Sequence, residues 1–410
     1  MLYNLLIQLY AAVLRLAALF HPKASLWVEG RRNWREHLRQ SVTAWERSPK
    51  VFWIHAASLG EFEQGRPVIE AFKSEYPDWK IVLTFFSPSG YEIRKNYPHA
   101  DLICYLPVDT TSNARDFLDI LQPDIAVFVK YEFWANFLRA LKKRGTPTML
   151  ISATFRPGQP FFAWYGEFWR SMLPSFQHIF VQDEASAQLL RSIQMELVTV
   201  AGDTRVDRVM AIARQVPENT VVAPFVAEAK QVLVIGSSWL QDVEVLYPAL
   251  NRSGITKILI APHEPSAPNV ERICRQVSSE GVTKYSQGPD AKARWMVIDN
   301  IGLLNTLYRY GRIAYIGGGF GRGIHNTLEP AAFGLPVIFG PKYHKFEEAR
   351  QFVARGGAFS VQNGEELAAV LKQLEDETFY QNASRAVLSY LEESSGATEK
   401  VMALLRKLAG

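Results

Sequence analysis

The residues most suited to chemistry in this 410-residue chain lie in short clusters just behind apolar runs. The first is His55-Ala56-Ala57-Ser58-Leu59-Gly60-Glu61, at the end of VFWIHA (51–56). A small, glycine-bearing turn entering a helix leaves backbone N–H groups free, and a carboxylate in the first helical turn is favoured by the helix dipole. Two readings of Glu61 stand: a helix-terminus acid, and a general base facing an acceptor hydroxyl. The second cluster, Lys130-Tyr131-Glu132-Phe133-Trp134-Ala135-Asn136, brings a cation, a carboxylate and an amide to the end of IAVFV (125–129). Arg156 closes ISATFR (151–156) and is either an anion contact or a surface arginine. Arg205 stands in GDTRVD (202–207), where the first half of the chain ends.

The second half carries GGGFGRGIHNTLEP (317–330) after the apolar IAYI. Dense glycine, here including Gly318 and Gly319, lets a backbone approach a ligand phosphate, and a helix start adds N–H groups. Neither G-x-G-x-x-G nor a Walker A pattern is present, which disfavours dinucleotide and P-loop sites. Glu329 is placed to accept hydrogen bonds from the hydroxyls of a ribose. Other polar strand ends are Ser237 in GSS (236–238), Pro262-His263-Glu264-Pro265, and Asp299-Asn300-Ile301-Gly302. No HExxH, CxxC or Asp-x-Asp pair occurs, so no metal site is expected.

Something must hold these clusters in place. From residue 51 onward, short runs rich in Val, Ile and Phe alternate with helix-length amphipathic stretches. Runs that are apolar on both faces read as parallel strands covered by helices on both sides. Thirteen of them fall into two series, 51–202 and 232–362, which implies an α/β protein with two doubly wound, Rossmann-like domains facing across a cleft. Ligands of such domains bind outside the carboxyl ends of the strands, where the polar clusters lie. The segments predicted are 1–50 (membrane-associated helix and basic flank), 51–205 (first domain), 206–230 (linker), 231–376 (second domain), and 377–410. The last is read as one long helix, roughly residues 377–408, packing back on the first domain.

Composition bounds the possibilities. With 48% hydrophobic residues, general disorder is excluded. Two cysteines exclude a disulfide scaffold and suit a reducing compartment. A formal charge of +4 is too small to suggest nucleic acid.

The N-terminus differs from the rest. Residues 2–20 are almost wholly apolar, but about 20 such residues are needed to span a bilayer and Arg15 sits inside the run. No positive residue precedes the run and no small-residue cleavage site follows, so a cleaved signal peptide is not expected. Lys23, Arg31, Arg32, Arg35, Arg39, Arg47 and Lys50 follow, with Trp27, Trp34 and Trp45 among them. This pattern predicts a helix at the surface of an anionic membrane, monotopic or single-pass, over the alternative of a helix packed on the protein's own core.

HAASLGE (55–61), KYEFWAN (130–136), ISATFR (151–156), GDTRVD (202–207) and GIHNTLEPAAFGLPVIFGP (323–341) together resemble the bacterial 3-deoxy-D-manno-octulosonic acid (Kdo) transferases of lipid A biosynthesis, in family order. The resemblance implies a GT-B glycosyltransferase with CMP-Kdo as donor substrate, no cofactor and no metal. Its acceptor is a lipid A precursor (lipid IVA), and its place is the cytoplasmic face of the inner membrane. It implies Glu61 as base for an inverting transfer, Glu132 as a second acid stabilising the transition state, and Arg205 where the family usually has Lys. CMP binding falls to Pro262 and His263, to Ile301, Gly302 and Leu303, and to Asn326, Thr327, Leu328 and Glu329. His263 stands where the family commonly has Arg, and Leu303 where it has an acid. Ser58, Gly60, Lys130, Asn136, Arg156, Ser237, Gly318 and Gly319 are the remaining acceptor or cleft candidates. The competing readings are another GT-B enzyme (a UDP-sugar transferase or a nucleotide-sugar epimerase) and a non-catalytic, membrane-attached binding protein.

Overall fold

The computed structural model describes residues 2–45 and 49–410, so Arg47 of the basic flank lies outside the described residues. The chain divides into two compact units. The first runs to Asp207 and takes back the tail from Ser395; the second is Arg208–Ser394.

In the first unit the strands are β1 (Val51–Ala56), β2 (Lys80–Phe85), β3 (Leu102–Tyr105), β4 (Ile125–Val129), β5 (Thr148–Ala153), β6 (His178–Val181) and β7 (Val198–Val200). They form one sheet in the order β3-β2-β1-β4-β5-β6-β7, parallel throughout. Every residue of β1, β4 and β5 is buried, as strands covered on both faces require. Side chains alternate across the sheet. On one face Trp53 meets Phe117, Phe128 and Phe137 at ring separations of 5.1, 5.3 and 5.8 Å. On the other, Phe52 stacks on Phe72 at 4.3 Å.

Three helices precede β1: α1 (Leu2–Ala17), α2 (Pro22–Glu29) and α3 (Trp34–Thr43). They are part of the first unit rather than a free appendage. Tyr3 Oη donates to Asp109 at 2.6 Å, and Asn4 bonds Thr111 and Asn136. Arg31 is buried, and its guanidinium donates to the carbonyls of Leu106, Trp27 and Phe86 while lying over the rings of Trp27, Phe86 and Tyr105. Arg35 is held by Asp116 and Asn113. Arg31 thus serves the fold, which corrects its reading as a surface charge, while Arg35 stays partly exposed. The outer side of α1 still exposes Leu2, Leu5, Leu6, Leu9, Val13 and Leu16. No helix among the described residues is long and apolar enough to cross a membrane.

The second unit contains β8 (Val232–Ser238), β9 (Lys257–Pro262), β10 (Val282–Lys284), β11 (Trp295–Val297), β12 (Ile313–Ile316), β13 (Val337–Phe339) and β14 (Ala358–Ser360). Its parallel order is β10-β11-β9-β8-β12-β13-β14. The sequence pattern misses β10, whose VTK is too polar to read as an apolar run. The stretch read as a linker holds two helices, Thr204–Gln215 and Val222–Val226. The predicted final helix is in fact two, Glu377–Ser394 and Ala397–Ala409. The break falls at Gly396, which takes φ +83°, and Asp207 accepts the N–H groups of Gly396 and Thr398, each at 2.6 Å.

Candidate functional site

In each sheet the strand order reverses once near the middle, between β1 and β4 and between β8 and β12. Connections leave such a pair in opposite directions and open a crevice beyond the strand ends. Polar clusters occupy both places.

In the first unit, β1 runs into helix α4 (Leu59–Glu75), with Ser58 as its N-cap. Glu61 closes a capping box, its Oε2 accepting from the Ser58 N–H at 3.0 Å and facing Ser58 Oγ at 3.3 Å. The bond fixes the carboxylate at the strand end. Gly65, one turn on, lets α4 lie close on the sheet, since a Cβ there would sit 3.1 Å from Val129 and 3.2 Å from Ile54. Gly60 has open space where a Cβ would be, so no close approach explains it. Burial pushes the Glu61 carboxyl up to about 7, and the charge of Glu132 adds to it; the Ser58 and Ala57 amides and Lys130 oppose them.

Glu132 arrives from the end of β4 and is buried. Its Oε2 lies 3.0 Å from His55 Nε2 and accepts the indole N–H of Trp134 at 2.6 Å. Lys130 begins this loop with φ +69° and lies over the ring of Tyr131, 5.4 Å from its centroid. Ser152, at the end of β5, has φ +54°. Non-glycine residues held in this region cost free energy and cluster where geometry serves function.

Not every candidate joins this group. Asn136 is buried beneath α1, donating to Asp109 O at 2.6 Å and to Asn4 Oδ1 at 2.8 Å, so it anchors the N-terminal helix and is not a ligand contact. Arg156 is exposed beyond β5. Arg205 is clamped by Asp203 at 2.6 and 2.9 Å in the first turn of its helix. The neighbouring Thr204 hydroxyl bonds Gln64 O and Ser152, which ties that helix to α4 and β5.

In the second unit, Ser237, the last residue but one of β8, takes φ +52°, and the half-exposed Trp239 follows the strand. The rings of Trp239 and His325 each stack with His263, with centroid separations of 4.6 and 4.3 Å. The Trp239 indole also donates to His325 Nε2 at 3.3 Å. Burial, with the charge of His263, lowers His325 to about 4. Beside these rings lies a cavity of about 710 Å³ whose lining includes Ser238, Trp239, Pro262, Glu264, Arg272 and Arg322.

The glycine run packs against the protein's own backbone. A Cβ on Gly317 would lie 2.4 Å from Ser237 O, and one on Gly319 would lie 2.6 Å from Gly340 N. The Gly318 N–H is taken by Asp242 at 3.0 Å. Gly318 and Gly319 are therefore spent on internal close packing, which corrects their reading as a surface that approaches a ligand. Asn326 donates to Glu329 Oε1 at 3.0 Å and accepts the Leu328 N–H. Leu328 and Thr327 are buried, with Thr327 Oγ1 unpartnered. Ile301 is exposed, and Gly302 between it and Leu303 takes φ +88°.

Sequence reasoning missed Thr84, Trp239 and Asp242. Asp242 accepts from Trp239 N and Gly318 N and from Tyr315 Oη, joining the β8 and β12 ends. Its position three residues past Trp239, matching that of Glu61 past Ser58, was the available signal.

Two doubly wound parallel domains with polar groups at their switch points define a GT-B protein, and solved structures agree. The UDP-GlcNAc 2-epimerase of Neisseria meningitidis superposes with TM-score 0.60 at 18% identity, over 87% of this chain and 100% of that one. MurG of Acinetobacter baumannii gives 0.56 at 14%, over 88% and 100%. Sequence comparison goes further. Residues 32–208 match the family model described as 3-deoxy-D-manno-octulosonic-acid transferase (kdotransferase). The 3-deoxy-D-manno-octulosonic acid transferase of Aquifex aeolicus is 26% identical over 333 residues, 79% of this chain and 86% of that one. The one of Rickettsia bellii is 24% identical over 367 residues, covering 87% and 85%. The chain thus resembles the Kdo transferases over most of its length, and it is a glycosyltransferase of lipopolysaccharide biosynthesis.

Proposed function

We propose that the protein moves Kdo from CMP-Kdo to a hydroxyl of a lipid A precursor, with inversion and with Glu61 as general base. The observation that carries this reading is the Glu61 carboxyl, fixed at a strand end and poised at about 7, where a base takes a proton and still reaches its charged form. Glu61 removes the proton of the acceptor's primary hydroxyl, and that oxygen bonds the anomeric carbon of Kdo. The bond from that carbon to the phosphate oxygen breaks, and CMP leaves with the electron pair. Glu132 places a carboxylate near the positive charge that develops on the sugar. Arg205, oriented by Asp203, is the cation assigned to the leaving side.

Donor binding is assigned to the second unit. His263 presents an imidazole stacked with the rings of Trp239 and His325, with Pro262 before it. Asn326 orients Glu329 to accept from ribose hydroxyls, and Ile301, Gly302 and Leu303 supply an exposed turn for the base. No metal is required in this reading. Developing charge on CMP is met by backbone N–H groups and cations.

The apolar side of α1 is assigned to the membrane surface, where the acceptor lies. A recess of about 710 Å³ in the same unit is lined by Arg15, Arg35, His37 and Arg39, a surface suited to phosphorylated headgroups. The test is transfer by purified protein from CMP-Kdo to a tetraacylated lipid A precursor, with products resolved by mass. Kdo-bearing glycolipid is expected from the wild type and not from Glu61→Gln. Intact donor and acceptor after incubation would overturn the reading.

A further inference from the structure

His55 is an ionisable ring with no solvent exposure, on the same face of β1 as the aromatic cluster around Trp53. A buried polar group without partners costs about 1–3 kcal/mol, so the ring's bonds decide what it does there. Nδ1 lies 2.8 Å from Thr84 Oγ1 and 3.1 Å from Thr84 O. Nε2 lies 3.0 Å from Glu132 Oε2 and 3.1 Å from the Trp134 indole nitrogen.

The neighbours of Thr84 fix the direction of these bonds. Its hydroxyl oxygen accepts the Trp53 indole N–H at 2.9 Å, so its own proton must go elsewhere. The Ile54 carbonyl is 3.5 Å away, against 2.8 Å for Nδ1. A carboxylate oxygen only accepts, so the 3.0 Å contact with Glu132 places the ring proton on Nε2, the Trp134 N–H going to the nearer Oε2, and the hydroxyl donates to Nδ1. One chain of donors results: Trp53 to Thr84, Thr84 to His55, His55 to Glu132. Trp134 donates to the same carboxylate oxygen.

We infer that His55 is a positioning residue, holding Glu132 as a fixed carboxylate beside Glu61 by donating its Nε2–H. The inference rests on the proposal that Glu61 is the base. Glu132 is buried, and a buried carboxylate needs hydrogen-bond donors. Two N–H groups hold its oxygen, and its charge adds to the burial that raises Glu61. The groups facing Glu61 are Glu132 and Lys130 from the β4 end and Ser58 from its own helix; those facing Glu132 are His55, Trp134 and Glu61. His55 thereby sets how basic Glu61 is without touching substrate.

The test combines a tautomer measurement with pH–rate profiles. In ¹⁵N-histidine-labelled protein at pH 8, the His55 resonance, assigned by its loss in His55→Gln, should show Nε2 protonated and Nδ1 as acceptor. A proton on Nδ1 alone would overturn the inference without reference to activity. In kcat/KM, the acidic limb of the wild type should lie near pH 7. His55→Leu removes the donor, weakens the hold on the Glu132 charge beside Glu61, and should move that limb down by about 0.5–1 unit. His55→Gln, whose amide N–H falls near the position of Nε2, should restore the wild-type limb. Thr84→Val guards against a His55→Leu protein that does not fold: it should transfer the ring proton to Nδ1 and move the limb in the same direction. Variants that are folded and slower at every pH, with the limb unmoved, would leave His55 a packing residue and sink the idea. Failure of the base proposal is separately visible, as Glu61→Gln turning over at the wild-type rate.

Discussion

Replacing Glu61 with Gln separates a catalytic carboxylate from a structural cap, because the two roles give opposite signs for stability. The folded-state value of about 7 stands above the ordinary 4.5. A group raised in this way favours the fold fully below pH 4.5, and the benefit is lost as pH rises through 7. At pH 8 the folded protein carries an ionised, half-buried Glu61 that the unfolded chain tolerates better. The full difference of about 2.5 units is worth about 3.4 kcal/mol. Glu61 is partly open to solvent, so about 1–2 kcal/mol is a fairer figure. Gln keeps an oxygen for the Ser58 N–H and removes the charge. Glu61→Gln should therefore melt higher than the wild type at pH 8 by about 2–8 °C, given about 2–4 °C per kcal/mol for a domain of this size. The difference should vanish near pH 5, where the wild-type carboxyl is mostly protonated. Turnover should fall by about 10²–10⁴ at all pH values. The measurements are thermal melts of both proteins from pH 5 to 8, with transfer rates on the same samples. A variant that melts lower at pH 8, or by the same margin at both pH values, would refute the electrostatic account and leave Glu61 a helix cap.

Two further outcomes test other parts of the molecule. Arg31→Ser should cost about 3–5 kcal/mol, because it removes a buried cation and leaves the carbonyls of Trp27, Phe86 and Leu106 without its N–H groups; exposed Arg32→Ser should stay within about 0.5 kcal/mol, with melting temperatures deciding between them. His325 has a folded-state value near 4, below the ordinary 6.5, so the unfolded chain binds that proton first and stability should fall as pH drops from 6.5 toward 4. His325→Gln should remove about 1 kcal/mol of that decline, and an unchanged pH dependence of the melting temperature would contradict the origin given for it.

What the sequence revealed and what it hid follow from the same physics. β1, β4, β8 and β9 were readable because strands buried on both faces are apolar at nearly every position, and Val, Ile, Leu and Phe dominate these runs. Once their alternation with helices fixed a doubly wound fold, the strand ends became the places to search, and Glu61 and Glu132 were found there. Asn136 shows where that logic stops. It stands four residues from Glu132 in the same cluster, yet its amide is consumed by Asp109 and Asn4, which are distant in sequence. Arg31 fails for the same reason: its hydrogen-bond partners Phe86 and Leu106 are brought to it only by the fold. Burial and pairing depend on contacts that a linear pattern does not contain. His55 and Thr84 illustrate the converse. As single polar residues inside apolar strands they read as tolerated exceptions, and only the register pairing β1 with β2 sets them side by side. A buried polar residue in a strand that leads to a switch point is therefore better taken as a partner of the site than as noise, because the core gives it no other means of satisfying its hydrogen bonds.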